Sequence, residues 1–196
     1  MIVDERIITF INSLDTKNSE ILEDIEREAL ADNVPIIRRE MQSFLKVLLM
    51  VKKPMRVLEV GTAVGFSALL MSEYVPEECA ITTIENYEKR IPIARQNFVR
   101  AGKEKKITLL EGDAMDVLKT LEGPYDFIFM DAAKGQYIHY LPEILRLLAK
   151  GGILVSDNVM QDGDVIESRF AVERRDRTIH ARMREYLYEL NITMRL

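Results

Sequence analysis

Two short runs in this sequence place carboxylates directly after purely apolar stretches: Phe127-Ile128-Phe129-Met130-Asp131-Ala132-Ala133-Lys134 and Ile153-Leu154-Val155-Ser156-Asp157-Asn158. If the two apolar runs are neighbouring strands, Asp131 and Asp157 lie about 5 Å apart laterally. Carboxylates that close repel each other unless they share a proton or a cation. Asn158 adds a neutral oxygen, and three hard oxygens with room for water and substrate match an octahedral site for Mg²⁺ or Mn²⁺. Lys134 is placed to take a proton if neutral or to stabilise an oxyanion if charged. The plainer alternative is two unrelated acids that happen to end strands.

Three further segments share this strand-end position. Leu58-Glu59-Val60-Gly61-Thr62-Ala63-Val64-Gly65-Phe66-Ser67 carries Gly61 for a tight turn and Gly65 for close approach at a helix N-terminus. Its G-x-x-x-G spacing is not the G-x-G-x-x-G of a dinucleotide site, which argues against a nicotinamide dehydrogenase. Glu59 would repel a pyrophosphate but suits an ammonium or a sulfonium. Glu85 stands about twenty residues beyond the first glycine, where an acid partners two ribose hydroxyls. Gly112-Asp113-Ala114 places an acid that could accept from adenine's exocyclic amine. Each segment also has an ordinary reading: a joining turn, an exposed turn acid, and a cap for the helix through Val117 and Leu118. Together they describe an adenosine cofactor without phosphates, and S-adenosylmethionine fits, its methionine end facing Glu59 and the Gly61 turn.

The elements that must carry these residues are legible in the hydrophobic pattern. Five short apolar runs, Val57–Val60, Ala80–Ile84, Ile107–Leu110, Phe127–Met130 and Ile153–Val155, alternate with helical segments. Strands apolar on both faces belong in a parallel sheet covered by helices, so the pattern predicts a doubly wound, Rossmann-like α/β fold. Gly102 is expected to end one helix, Gly151 and Gly152 another, and Pro142 to sit near that helix's start. The first fifty residues read as helices, with stripes at Ile7, Ile8, Phe10, Ile11 and Leu14, at Ile21, Leu22, Ile25, Ala29 and Leu30, and at Met41, Phe44, Leu45, Leu48 and Leu49. That is more apolar surface than one sheet face needs, which predicts a homodimer.

The chain has 196 residues, which fits one domain: a helical part over 1–50 and an α/β core over 56–196. One cysteine, Cys79, a first segment MIVDERIITF with acids where a secretory leader needs cations, and no run long enough to span a membrane predict a cytoplasmic protein. The net charge of -5 argues against a generic nucleic-acid coat. Locally, however, Arg169, Arg174, Arg175, Arg177, Arg182 and Arg184 outnumber Asp164, Glu167, Glu173 and Asp176. This cluster reads either as phosphate contacts or as a solvated helix laced with i,i+4 pairs. His180 reads as a packing or capping histidine, and His139 is uninformative.

The segments LEVGTAVGFSA, TTIENYE, EGDA, FIFMDAAKGQY and VSDNV stand in one order and spacing from about Pro35 to Leu190. Taken together, they resemble the class I, cation-dependent O-methyltransferases of the catechol and caffeoyl-CoA type. The resemblance implies Asp131, Asp157 and Asn158 as metal ligands and Lys134 beside the reacting oxygen. Asp131 would also be catalytic, and it would join Glu59, Gly61, Ser67, Glu85, Asp113 and Ala114 around the cofactor. DAAKGQY and RRDRTIHARMREY look most similar to the bacterial tRNA 5-hydroxyuridine methyltransferases, which implies the anticodon region of tRNA as partner and 5-methoxyuridine as product. The small-molecule members more often read DADK, where this sequence has Ala133; a catechol or caffeoyl-CoA acceptor is the alternative, and a non-catalytic nucleotide- or RNA-binding module a more remote one. The family also implies a closing edge hairpin beyond Asn191–Leu196, so that segment is expected to be a strand and the hairpin to have been trimmed away.

Overall fold

In the computed structural model, which describes residues 4–193, three helices precede the sheet: α1 (Glu5–Ser13), α2 (Glu20–Ala31) and α3 (Arg39–Lys52). The strands are β1 (Arg56–Val60), β2 (Ala80–Glu85), β3 (Ile107–Glu111), β4 (Tyr125–Met130) and β5 (Leu148–Ser156). Between and after them lie α4 (Phe66–Glu73), α5 (Ile91–Arg100), α6 (Ala114–Thr120), α7 (Tyr137–Leu147) and α8 (Arg177–Thr193). All strand pairs are parallel, in the order β3-β2-β1-β4-β5. The order reverses between β1 and β4, and in such sheets ligands bind beyond the carboxyl ends of the strands at that point.

The sheet separates two apolar layers. One joins Leu22, Ile25, Leu45 and Leu49 of α2 and α3 to Val57, Phe127 and Phe129. The other joins Leu58, Val60, Ile128 and Met130 to Tyr137, Ile144, Met183 and Tyr186. Alternate residues of β1 and β4 therefore feed opposite layers, which is why these strands read as continuous apolar runs. A buried polar chain ties α2 to α3: Asn18 donates to Gln42 (2.9 Å), Gln42 to Glu26 (3.2 Å) and Arg39 to Glu26 (2.6 Å).

Three local expectations are corrected. Pro142 lies inside α7, not near its start, because a 3₁₀ turn at Lys134–Gln136 runs straight into the helix. Pro142 stands on the exposed face of the helix. Gly151 and Gly152 do not end α7 but lie within β5, with Gly151 at φ +73°, where the β4–β5 register shifts. Asn191 to Thr193 close α8 rather than forming a strand, and 194–196 lie outside the described residues. The α1 stripe is exposed, with Phe10 64% and Leu14 69% accessible, in keeping with apolar surface beyond what one sheet face needs. Among the described residues no helix is long and apolar enough to cross a membrane.

Candidate active site

A cavity of about 1450 Å³ opens at the carboxyl ends of β1, β2, β4 and β5, roofed by α1 and α3. Its lining includes Gly61, Ser67, Glu85, Ala114, Asp131, Lys134, Asp157 and Asn158. Eight of the sequence-predicted site residues thus meet in one space, large enough for two small reactants side by side.

The floor is set by the turn after β1. Gly61 has φ +105°, and a Cβ there would stand 2.1 Å from the Asp131 carbonyl oxygen. Only glycine lets the ends of β1 and β4 lie this close. Gly65, at φ +84°, caps α4, and a Cβ there would strike the Phe98 ring at 2.5 Å. The Glu85 carboxylate is held by backbone: Oε2 accepts from Ala63 N (2.7 Å), and Oε1 from Asn86 N (3.0 Å) and Tyr87 N (2.9 Å). A carboxylate has about four lone-pair positions, so one remains for a hydroxyl in the cavity.

At the far side, β4 and β5 pair Met130 with Ser156, which brings Asp131 and Asp157 to adjacent positions as the apolar runs predict. Lys134 Nζ donates to Asp131 Oδ1 (2.8 Å) and to the Tyr137 hydroxyl (2.9 Å). That hydroxyl in turn donates to the Met130 carbonyl (2.8 Å). Burial, reinforced by the charges of Asp131 and Asp157, pushes the Tyr137 phenol well up, so it stays neutral. Burial also raises the Asp157 carboxyl, Asp131 raises it further, and Lys134 partly offsets both. Asn158 follows at φ +49°. Among the described residues no three His, Cys, Asp or Glu side chains converge on a metal position. The candidate donor set is instead two carboxylates and an amide, hard oxygens at neighbouring strand ends whose mutual repulsion one lysine only partly relieves. That chemistry fits a hard divalent cation.

Two predicted cofactor residues do not line the cavity. Glu59 is fully buried on the central strand beneath α4, where Ser67 Oγ and Thr83 Oγ1 both donate to it. Burial raises its carboxyl to about 8 despite these donors, so it stands behind Ser67 as a neutral acid rather than facing an ammonium. Asp113 is exposed and caps α6, accepting from Met115 N (2.9 Å). Sequence reasoning missed Tyr137, one turn beyond Lys134 in the readable pattern K-x-x-Y. It also missed Arg38 and Asp162, which line the cavity and pair at 2.9 Å. No local signal joins residues so far apart in the chain.

The basic segment is largely engaged with its own fold. Arg177, Arg182 and Arg184 donate to the carbonyls of Val172 (3.2 Å), Gly135 (3.1 Å) and Val165 (2.9 Å), and Arg175 pairs with Glu173 (3.0 Å). His180 is buried with Nε2 3.2 Å from the Glu167 carbonyl, a packing role.

This geometry can be set beside known proteins. The family model described as O-methyltransferase matches residues 12–195. The chain belongs to that family. A catechol O-methyltransferase of Niastella koreensis is 35% identical over 128 residues, covering 63% of this chain and 58% of that protein. Caffeoyl-CoA O-methyltransferase 2 of Populus trichocarpa is 33% identical over 158 residues, covering 76% and 61%. This O-methyltransferase family member thus spans about three-fifths of the length of these curated relatives. Among solved structures, an O-methyltransferase of Bacillus cereus in complex with SAH superposes with a TM-score of 0.82 at 27% identity, covering 94% of this chain and 84% of that one. An SAH-bound methyltransferase of Podospora anserina gives 0.86 at 28% identity, covering 95% and 85%.

Proposed function

We propose that this chain transfers the methyl group of S-adenosylmethionine to a hydroxyl of a catechol-type acceptor, of the kind the names of its relatives describe. The observation that carries the reading is that one cavity at the sheet's reversal point is lined both by Gly61, Glu85 and Ala114 and by Asp131, Lys134, Asp157 and Asn158. The first set suits a nucleoside, and the second suits two adjacent oxygens about to lose a proton.

In this reading Glu85, fixed by three backbone N–H groups, accepts from the ribose. The Gly61 turn admits the methionine end against bare backbone, and Ser67, anchored from behind by Glu59, presents its hydroxyl there. Asp131, Asp157 and Asn158 would hold Mg²⁺ or Mn²⁺, whose charge lowers the pKa of a nearby hydroxyl. Lys134, steered by Asp131 and Tyr137, faces the developing oxyanion. Much of the acceleration comes from holding donor and acceptor in line.

The test is methyl transfer from labelled S-adenosylmethionine with Mg²⁺ to caffeate and catechol, against transfer to tRNA lacking wobble modification. Methylated catechols support the reading, and transfer to neither substrate overturns it. Transfer to tRNA alone selects a second reading, methylation of 5-hydroxyuridine, whose 5-hydroxyl and 4-carbonyl offer the same pair of oxygens. One observation favours that reading: Phe170 is 84% exposed beside Arg169, with the Arg177 guanidinium 5.9 Å over its ring. An aromatic face among cations is suited to stacking an unpaired base. The exposed apolar face of α1 and α3, with Phe10, Leu14, Val47 and Val51, is where we expect a second copy to dock. Sedimentation velocity measures it.

A further inference from the structure

Arg38 and Asp162 line the cavity and meet at its opening, with Arg38 Nη2 2.9 Å from Asp162 Oδ1. They belong to separate halves of the chain: Arg38 caps the start of α3, and Asp162 lies in the 3₁₀ segment Gln161–Ile166 after β5. The two side chains are 72% and 65% exposed, and an ion pair in that setting is weak because water screens it. Its partners are therefore exchangeable.

The turn that carries Asp162 is held in costly backbone. Asn158, Gln161 and Asp162 have φ of +49°, +48° and +54°, and Gly163 follows at +107°. Non-glycine residues are disfavoured in this region, Asn and Asp less than Gln, and such residues cluster where a site needs them. The turn starts immediately after Asp157, so Asp162 and Asp157 line the same cavity five residues apart.

The adjoining wall is largely apolar, with Ile8, Ile11, Met41 and Phe44, and its one carboxylate, Glu40, accepts from Asn12 Nδ2 (2.9 Å). Such a wall takes an aromatic ring but gives nothing to a charged substituent. The other cations on the lining have other partners. Lys134 is bonded to Asp131 and Tyr137, and Arg90 lies 5.3 Å over the Tyr87 ring beside the Glu85 turn. Arg38 is the guanidinium over the acceptor end.

We propose that Arg38 selects acidic acceptors: it leaves Asp162 and pairs with a carboxylate carried by the catechol ring, so that Asp162 acts as a built-in competitor for the substrate's anionic group. This rests on the catechol reading above. The exchange replaces one ion pair by another, and the new one can be bidentate and partly shielded by the apolar wall, where a charge-assisted pair is stronger than at an open surface.

The experiment compares 3,4-dihydroxybenzoate with its neutral methyl ester as acceptors for the wild type, Arg38→Gln, Arg38→Lys and Asp162→Asn, with melting temperatures recorded to exclude misfolding. The kcat/KM ratio of acid to ester is expected to fall about tenfold in Arg38→Gln, equivalent to about 1.4 kcal/mol. That fall should be carried by the KM for the acid, and Arg38→Lys should restore part of it. Asp162→Asn should raise the ratio by removing the competitor. A ratio unchanged in Arg38→Gln, or lowered in Asp162→Asn, overturns the role of Arg38 and leaves the catechol reading standing. Failure of the wild type to methylate either compound overturns both.

Discussion

The ends of β1, β2 and β4 and the wall formed by α1 and α3 face the same cavity but are held by different forces. At the strand ends the site is fixed by backbone: Gly61 lies against the Asp131 carbonyl, and three N–H groups bind Glu85. The helical wall has α1 with no buried residue and Phe44 51% exposed, and its Arg38 is held by one exposed ion pair. The difference separates two tasks. An invariant donor molecule calls for a preformed cradle, whereas an acceptor is selected by side chains that can rearrange at little cost.

The largest effect should come from breaking the cradle. Gly61→Ala drives a Cβ into the Asp131 carbonyl, so we expect a loss of about 3 kcal/mol or more in stability and no SAH binding by calorimetry. Near-normal SAH affinity in this variant would erase the contrast between floor and wall. Asp157→Ala should cut turnover on the order of a hundredfold or more while leaving SAH binding near wild type, since Asp157 lies at the acceptor end. If turnover persists, the cation has no part in the reaction. Glu85→Gln should weaken SAH binding by roughly tenfold, through loss of a charge-assisted bond, with little change in kcat.

Smaller effects should follow from Glu59 and from the wall. Burial raises the folded Glu59 carboxyl from its ordinary 4.5 to about 8. Between these values the folded state binds more protons than the unfolded state, so stability falls as pH rises through that window. Glu59→Gln lacks this loss, and its melting temperature should exceed wild type by roughly 5 °C at pH 8.5 and match it near pH 4.5. A constant offset across pH would show that the carboxyl is not neutral in the folded protein. Least of all, Phe44→Ser should shift stability by no more than about 0.5 kcal/mol, because its ring is already half in water. Its effect should be confined to the KM for the aromatic acceptor.

The same division governs what could be read from the sequence. Five apolar runs announced the sheet because a strand covered on both faces has little room for polar residues, and the acids ending those runs marked the site. Gly61 was visible because a tight turn needs glycine. The sequence could not show that Glu59 would be sealed beneath α4, since strand periodicity says nothing about which neighbour covers a side chain. For Asp113 the sequence offered both a cap for α6 and a place at the cofactor without deciding between them, and the structure shows the cap. Pro142 misled because a proline near a helix start is the common case, and the preceding 3₁₀ turn began the helix earlier. Arg38 and Asp162 were silent because their pairing exists only once the first helices fold over the far end of the sheet.

The contact between Gly61 and the Asp131 carbonyl has a consequence for altering this protein. Main chain abutting main chain can be neither shortened by a smaller side chain nor cushioned by a flexible one. In the proposed reading the interval between the sulfur donor and the carboxylates would therefore be a fixed gauge, and redesign for longer or bulkier acceptors belongs to the helical wall and to the segment following Asn158.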